Sequence, residues 1–191
     1  MLIVISFVLI LICLSILSMI MNWDILMSGI TAITAILGVF GVWIQLRREN
    51  QIKEAEFIME YNNSFISNQE LVAVEHLLEL SRKGYDVEVI HKDNLQSVIN
   101  YLVYHEALSA LVFRKVVSIK HIDDLFMYRF YLAMNNKEIQ EKELCAEYQY
   151  YKGCFKLYEE WTKYRKEHRL EILLENNALD QTEAYQKVCR K

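Results

Sequence analysis

The chain has 191 residues, no proline and five glycines, and 53% of its side chains are apolar. Average usage would make about 5% of residues proline, so this composition excludes collagen-like and proline-rich architectures and indicates a chain that is almost entirely helical. The net charge of −4 is a weak balance that favours no particular partner.

The apolar residues are concentrated at the N-terminus. Residues 1–46 contain 34 apolar side chains, no lysine or arginine, and a single acid, Asp24. All 21 basic residues, the other 24 acids and all twelve tyrosines lie in residues 47–191. This split predicts an all-α protein with a transmembrane helical segment over residues 1–46 and a water-soluble helical bundle over residues 47–191.

Two uncharged runs, residues 2–21 and 25–46, are each long enough as helices to cross the roughly 30 Å hydrocarbon core of a membrane. Asn22-Trp23-Asp24 separates them and predicts a tight turn. We interpret the two runs as two spans. The alternative is one span and one apolar helix used for subunit packing.

Basic residues follow the second run at once. Arg47, Arg48 and Lys53 are close to its end, whereas the N-terminus and the predicted turn carry no positive side chain. The positive-inside rule therefore predicts that the C-terminal domain, residues 47–191, is cytoplasmic, whether the chain crosses the membrane once or twice.

Small residues recur at every third position of the second run. They are Gly29, Ala32, Ala35, Gly38 and Gly41. Small side chains allow membrane helices to approach closely, so the row predicts packing either against the first span or between the subunits of a homo-oligomer around a membrane passage. Neither run contains an ionisable residue, so a proton- or ion-relay transporter is not expected.

The water-soluble part has the pattern of a helical bundle. Its predicted helices cover residues 47–61, 68–82, 94–117, 119–134 and 138 onward. Ser67 and Glu70 form a capping-box pattern before the second of these, and Gly84 is the predicted left-handed cap after it. The helix over residues 94–117 is the most apolar and is predicted to be central.

Glu106 lies within this central helix, where a carboxylate needs a partner. We predict a buried ion pair between Glu106 and Arg129 on the next helix. The alternative is that Glu106 is a general acid or base, because structural ion pairs and catalytic sites both shift the pKa of a carboxylate.

The last helix carries apolar side chains at heptad spacing. They are Leu144, Tyr148, Tyr151, Phe155 and Tyr158. Aromatic residues are enriched both in protein cores and at interfaces, so this seam predicts either a core contact or a subunit contact.

The sequence lacks the motifs of phosphate loops, serine hydrolases, zinc proteases and paired-cysteine zinc sites. His76 and Glu79 share a helical face, but two ligands do not make a metal site. We therefore expect no cofactor and no metal. Basic and acidic residues are interleaved, so direct nucleic-acid binding is not expected either.

Arg114 and His121 are separated by six residues and would share one face of a continuous helix. This pair resembles the R-x4–6-H signature of HEPN ribonucleases, in which two protomers combine their pairs to cleave RNA. Lys115 stands where those enzymes normally have another polar residue, and Ser118 can break the helix. The alternative is surface charge at a helix end, and we expect no enzyme activity.

Several segments together carry a wider resemblance. They are FIMEYNNSFI at residues 57–66, YHEA at 104–107, IDDL at 122–125, LYEEW at 157–161 and Tyr164-Arg165, after an N-terminal hydrophobic segment that ends in Arg47-Arg48. In architecture the chain resembles bacterial membrane-anchored helical proteins, and among them the small membrane accessory proteins of type VI-B CRISPR–Cas systems, which are divergent HEPN proteins.

The resemblance implies a homo-oligomeric, ring-shaped membrane pore that acts in antiviral defence. Its partners would be other copies of itself, the lipid bilayer and an RNA-guided, RNA-cleaving effector. Once that effector recognises phage RNA, the pore would depolarise the inner membrane. A membrane-tethered HEPN-type ribonuclease and a non-conducting anchor or scaffold are the alternatives.

Overall fold

The computed structural model of this chain describes residues 10, 12, 13, 15 and 23–190, with side chains from residue 27 onward in the last range. These residues form helices and irregular segments without a strand, so the all-α prediction is confirmed. The chain divides into two compact units, Met1–Ile52 and Lys53–Lys191. The boundary between them falls six residues after the predicted one.

Helix α1, Trp23–Ser67, is 45 residues long and contains the second predicted span. It is the one helix in the described part of the chain that is long and apolar enough to cross a membrane. Trp23 and Asp24 belong to α1 rather than to the predicted turn, and Asn22 lies outside the described residues. The first predicted span also lies outside them, except for residues 10, 12, 13 and 15, which are helical.

The C-terminal part of α1 belongs to the bundle. The helix does not end at residue 61 as predicted but continues to Ser67, because Asn62 and Phe65 are buried beside Arg129. The Arg129 guanidinium donates from Nη1 to Asn62 Oδ1 over 2.8 Å and lies 4.3 Å from the centre of the Phe65 ring. This cation–π contact and the hydrogen bond stabilise the last turns of α1, up to Ser67.

The predicted capping box is wrong by one residue. Ser67 is the last residue of α1, and Asn68 caps helix α2, Gln69–Arg82, by accepting the N–H groups of Glu70 and Leu71. The predicted end of α2 is confirmed, since Gly84 follows it with a left-handed φ of 83°.

Two further helices follow the loop over residues 85–94. They are α3, Leu95–Phe113, and α4, Ile119–Met134. The prediction placed the end of α3 near residue 117, but the helix stops four residues earlier because Lys115 adopts a left-handed φ of 58°. Ser118 occupies the predicted cap position of α4, although its side chain makes no capping hydrogen bond.

The prediction of one long helix from Glu138 is wrong. The chain instead forms a short helix α5, Lys137–Ile139, a π turn, Gln140–Leu144, helix α6, Lys152–Glu167, two 3₁₀ turns, Glu175–Asn177 and Leu179–Gln181, and helix α7, Glu183–Cys189. A separate helix, α6, begins at Lys152 because the Glu106 carboxylate of α3 accepts the N–H groups of Gly153 and Cys154.

The core of the second unit is built around α3, which packs against α2, α4 and α6. The largest buried side chains are aromatic: Phe65, Tyr101, Phe126, Phe130, Tyr131, Phe155, Tyr158 and Trp161. Four residues of the predicted heptad seam, Leu144, Tyr151, Phe155 and Tyr158, are buried here, and Tyr148 is half-buried. Of the two interpretations left open, the structure places the seam in the core of its own chain.

Candidate functional site

The candidate membrane segment is the exposed N-terminal part of α1. Within residues 27–52 only Ile30 is partly covered, and every other side chain in this range is exposed to solvent. Val39 is 70% exposed and Trp43 is 54% exposed. The Arg47 guanidinium lies 5.6 Å from the Trp43 ring centre, which is the pairing of aromatic and basic residues found where a span meets the headgroups. An apolar surface of this extent is unfavourable in water and indicates another environment.

The predicted small-residue row lies on this exposed surface. Gly29, Ala32, Ala35, Gly38 and Gly41 are all exposed, and no described atom lies within 4 Å of the position that a Cβ would take on any of the three glycines. The hydroxyls of Thr31 and Thr34 bond back to carbonyls of their own helix. The row winds around the helix, because a step of three residues falls short of a full turn, and among the described residues nothing covers it.

The HEPN-like pair is not arranged as a continuous helix would place it. Arg114 is the C-terminal cap of α3, a turn follows, and His121 lies in the first turn of α4. His121 Nδ1 lies 2.8 Å from Glu54 Oε1, and both Arg114 and His121 are exposed. The two side chains therefore do not share one helical face, because the helix ends at Phe113, Lys115 adopts a left-handed φ, and a new helix begins at Ile119.

The predicted Glu106–Arg129 ion pair does not form. Glu106 Oε1 accepts the N–H of Gly153 over 2.9 Å, and Oε2 accepts the N–H of Cys154 over 2.7 Å. The carboxylate thus caps α6 from a different helix and neutralises two N–H groups at the positive end of the helix dipole. Main-chain donors leave no pattern in a sequence, so this partner could not be read from residue types.

Arg129 instead joins three helices. Its Nε donates to Glu75 of α2 over 3.2 Å, and Nη1 reaches Asn62 of α1. Its main-chain carbonyl accepts the hydroxyl of Tyr101 on α3. A guanidinium with several fixed donors suits such a junction better than an ammonium group would.

The buried ion pair of this fold involves residues that sequence reasoning did not single out as a site. Arg165 Nη1 donates to both carboxylate oxygens of Asp123 over 2.7 Å, and Trp161 Nε1 donates to Asp123 Oδ1 over 2.6 Å. Arg165 Nε binds the Glu171 carbonyl. The i, i+4 spacing of Trp161 and Arg165, together with the two adjacent acids of IDDL, was the available signal, because two residues at this spacing share one face of α6.

His105 is the one side chain among the described residues with buried polar atoms that lack a hydrogen-bond partner. Its ring is fully buried and packs edge-on against Tyr101, Tyr104 and Phe130. Burial, together with the positive charge of Arg129, lowers the pKa of His105 to about 3 from its ordinary value of 6.5. The imidazole is therefore neutral at physiological pH and serves as a core side chain.

The buried imidazole makes the bundle sensitive to acid. Below pH 6.5 the unfolded chain binds a proton at His105 that the folded chain binds only near pH 3, so stability falls as the pH drops through this window. We expect a loss of about 2 kcal/mol between pH 7 and pH 5, from about 1.4 kcal/mol for each pKa unit. Melting temperatures at the two pH values measure the effect.

The variant His105→Leu should remove most of this pH dependence and leave the stability at pH 7 nearly unchanged, since two unpaired nitrogens are lost with a similar volume kept. The exposed residue His76 provides the matched control, and His76→Gln should keep the pH dependence of the unchanged chain. An equal pH dependence in His105→Leu would contradict the assignment.

The described residues contain no group of three or more side chains placed to hold a metal ion. Glu79, which the sequence pairs with His76 on one helical face, is bound by Arg82, Lys83 and Tyr128. The hydrogen bonds from Arg82 and Tyr128 lower the pKa of Glu79 to about 2. A polar cavity of about 460 Å³ lies beside α5. Its Asn136 side chain is already used, since it donates to Ser81 and accepts the Ile139 N–H.

No family model, curated protein or solved structure matches this chain.

Proposed function

We propose that the protein is an inner-membrane protein that assembles through α1 into a homo-oligomeric pore and keeps its helical bundle in the cytoplasm. The observation that carries this proposal is the uncovered apolar surface over residues 27–46. In a bilayer this surface would contact lipid and neighbouring copies, so its exposure would no longer oppose folding.

The small-residue row supports close helix packing over simple anchoring, and in this proposal the packing is between copies of the chain. An anchor needs only length and hydrophobicity, whereas five small side chains on one helix reduce hydrophobicity without helping insertion. They are useful where helix backbones pack closely, and the space beside Gly38 and Gly41 is open to a second helix. The basic residues Arg47 and Arg48 support the cytoplasmic orientation of the bundle.

The resemblance to the accessory proteins of type VI-B CRISPR–Cas systems supports the biological role. In that role the assembled pore would depolarise the inner membrane after an RNA-guided, RNA-cleaving effector has recognised phage RNA. The separation of Arg114 and His121 by a turn favours a pore over a ribonuclease.

The glycines of α1 test the pore. We expect the double change Gly38→Leu, Gly41→Leu to keep the protein in the membrane, to reduce the detergent-solubilised complex to one protomer, and to abolish depolarisation during triggered defence. Leucine retains hydrophobicity but separates the helix backbones. Native mass spectrometry and a potential-sensitive dye measure the two outcomes.

The matched control is Val39→Leu, Val42→Leu, which enlarges two neighbouring exposed side chains and replaces no residue of the small-residue row. This control should preserve both mass and depolarisation. A one-protomer mass for the unchanged chain, or an unchanged membrane potential, would contradict the pore. Full defence after replacement of residues 1–46 by an unrelated transmembrane helix would favour a non-conducting anchor.

A further inference from the structure

The connection between α3 and α4, together with the flanking residues Phe113 and Ile119 to His121, combines positive charge with exposed apolar side chains. We call this segment the α3–α4 loop. The segment from Phe113 to His121 contains Arg114, Lys115 and Lys120, and no acid occurs between Glu106 and Asp123. All three cationic residues are exposed. Phe113 is 45% exposed and Val116 is 47% exposed, so two large apolar groups stand among the charges.

This loop is held in a defined conformation. Val117 is buried, and the Val116 N–H donates to the Leu111 carbonyl. Glu54 of α1 accepts the Ser118 N–H over 3.0 Å and contacts His121 Nδ1 over 2.8 Å. The exposed apolar and basic groups are therefore presented by a fixed turn and fastened to the residue Glu54.

Glu54 follows Arg48 by six residues in the sequence. A chain segment spans at most about 3.6 Å for each residue, so Glu54 cannot lie more than about 22 Å from the Arg48 backbone. Along the chain, the loop is therefore bound to a residue that follows the predicted end of the span by only six residues.

We propose that the α3–α4 loop binds the anionic lipid headgroups of the membrane leaflet on the bundle side, with Phe113 and Val116 inserted among them and Arg114, Lys115 and Lys120 paired with their phosphates. The inference rests on the proposed membrane anchoring. Interfacial segments bind by this combination of buried apolar area and attraction to anionic lipid. Single-stranded RNA is less suited, since the segment offers one aromatic ring instead of a stacking platform.

Hydrogen exchange of the full chain in lipid nanodiscs tests the proposal. In nanodiscs with 30% phosphatidylglycerol we expect the backbone amides of residues 113–121 to exchange more slowly than in pure phosphatidylcholine, by at least about fivefold, the effect of one cation near an anionic surface. The triple variant Arg114→Gln, Lys115→Gln, Lys120→Gln should lose this difference. Exchange within α3 reports that the bundle is folded.

The matched control removes the same charge from α6 through Lys156→Gln, Lys163→Gln, Lys166→Gln, three exposed residues, and should keep the lipid difference. Equal exchange in both lipids, with the chain still inserted and resistant to alkaline extraction, overturns the lipid contact but not the membrane anchoring. Failure of insertion overturns both. Slower loop exchange on adding single-stranded RNA in pure phosphatidylcholine, with no effect of phosphatidylglycerol, overturns the proposal in favour of nucleic acid.

Discussion

The change Asp123→Asn should lower the free energy of unfolding by about 3–5 kcal/mol, the cost of leaving one partner of a buried ion pair alone. Asp123 and Arg165 are 8% and 5% exposed, so solvent cannot replace the lost charge. The Trp161 N–H would face an amide that satisfies fewer donors than the carboxylate does. Thermal unfolding in detergent, followed by circular dichroism, measures the loss.

A double variant that lacks both charges separates the effect of charge from the effect of packing. The combination Asp123→Leu, Arg165→Met removes both charges and keeps similar volume, so we expect it to be more stable than Asp123→Asn. The exposed neighbour Asp124 supplies the control, and Asp124→Asn should change stability by less than about 0.5 kcal/mol. A similarly small loss in Asp123→Asn would show that the pair contributes little.

The second large effect is expected from Gly153→Ala at the start of α6. A methyl group at this position would overlap Ser109 Oγ and lie 2.5 Å from Glu106 Oε1. Either α6 moves away from α3, or the Glu106 carboxylate gives up its bonds to the Gly153 and Cys154 N–H groups. We expect a destabilisation of roughly 3 kcal/mol from overpacking and lost charge-assisted hydrogen bonds.

Two further variants locate the cause of this effect. Gly41→Ala makes the same chemical change where no described atom is close, so bundle stability should not fall. Glu106→Gln should cost about 2 kcal/mol, because an amide can accept only one of the two N–H groups at full strength. If the contact is shared, the combination of Gly153→Ala and Glu106→Gln will cost less than the sum of the two. Full additivity would argue against it.

The helix boundaries that the sequence predicted well are those with a local chemical signal. Gly84 stops α2 because glycine adopts the left-handed conformation readily, and Ser118 precedes α4 as expected. The long apolar run also predicted a helix that nothing in the described part of the chain covers. Such features depend on a few neighbouring residues, so sequence is sufficient to find them.

The contacts that the sequence did not predict depend on distant parts of the chain. Glu106 was expected to bind a side chain of α4 but binds main-chain N–H groups of α6, 47 and 48 residues later. The heptad seam across Leu144 and Tyr151 suggested one helix, whereas a π turn and a second helix start place both side chains in the core. Periodicity identified the buried residues correctly but not the path of the chain between them.

Two tyrosines make the position of the last part of α1 specific. Tyr61 donates its hydroxyl to the Tyr104 carbonyl over 2.7 Å, Tyr104 donates to the Tyr61 carbonyl over 2.9 Å, and the rings stack 4.4 Å apart. Because each residue is both donor and acceptor, a turn of α1 about its axis or a slide along it would break both bonds at once. Residues 53–67 therefore cannot rotate or slide against the bundle in small steps. Any such movement requires both hydrogen bonds to break together, so this part of α1 and the bundle move as one body.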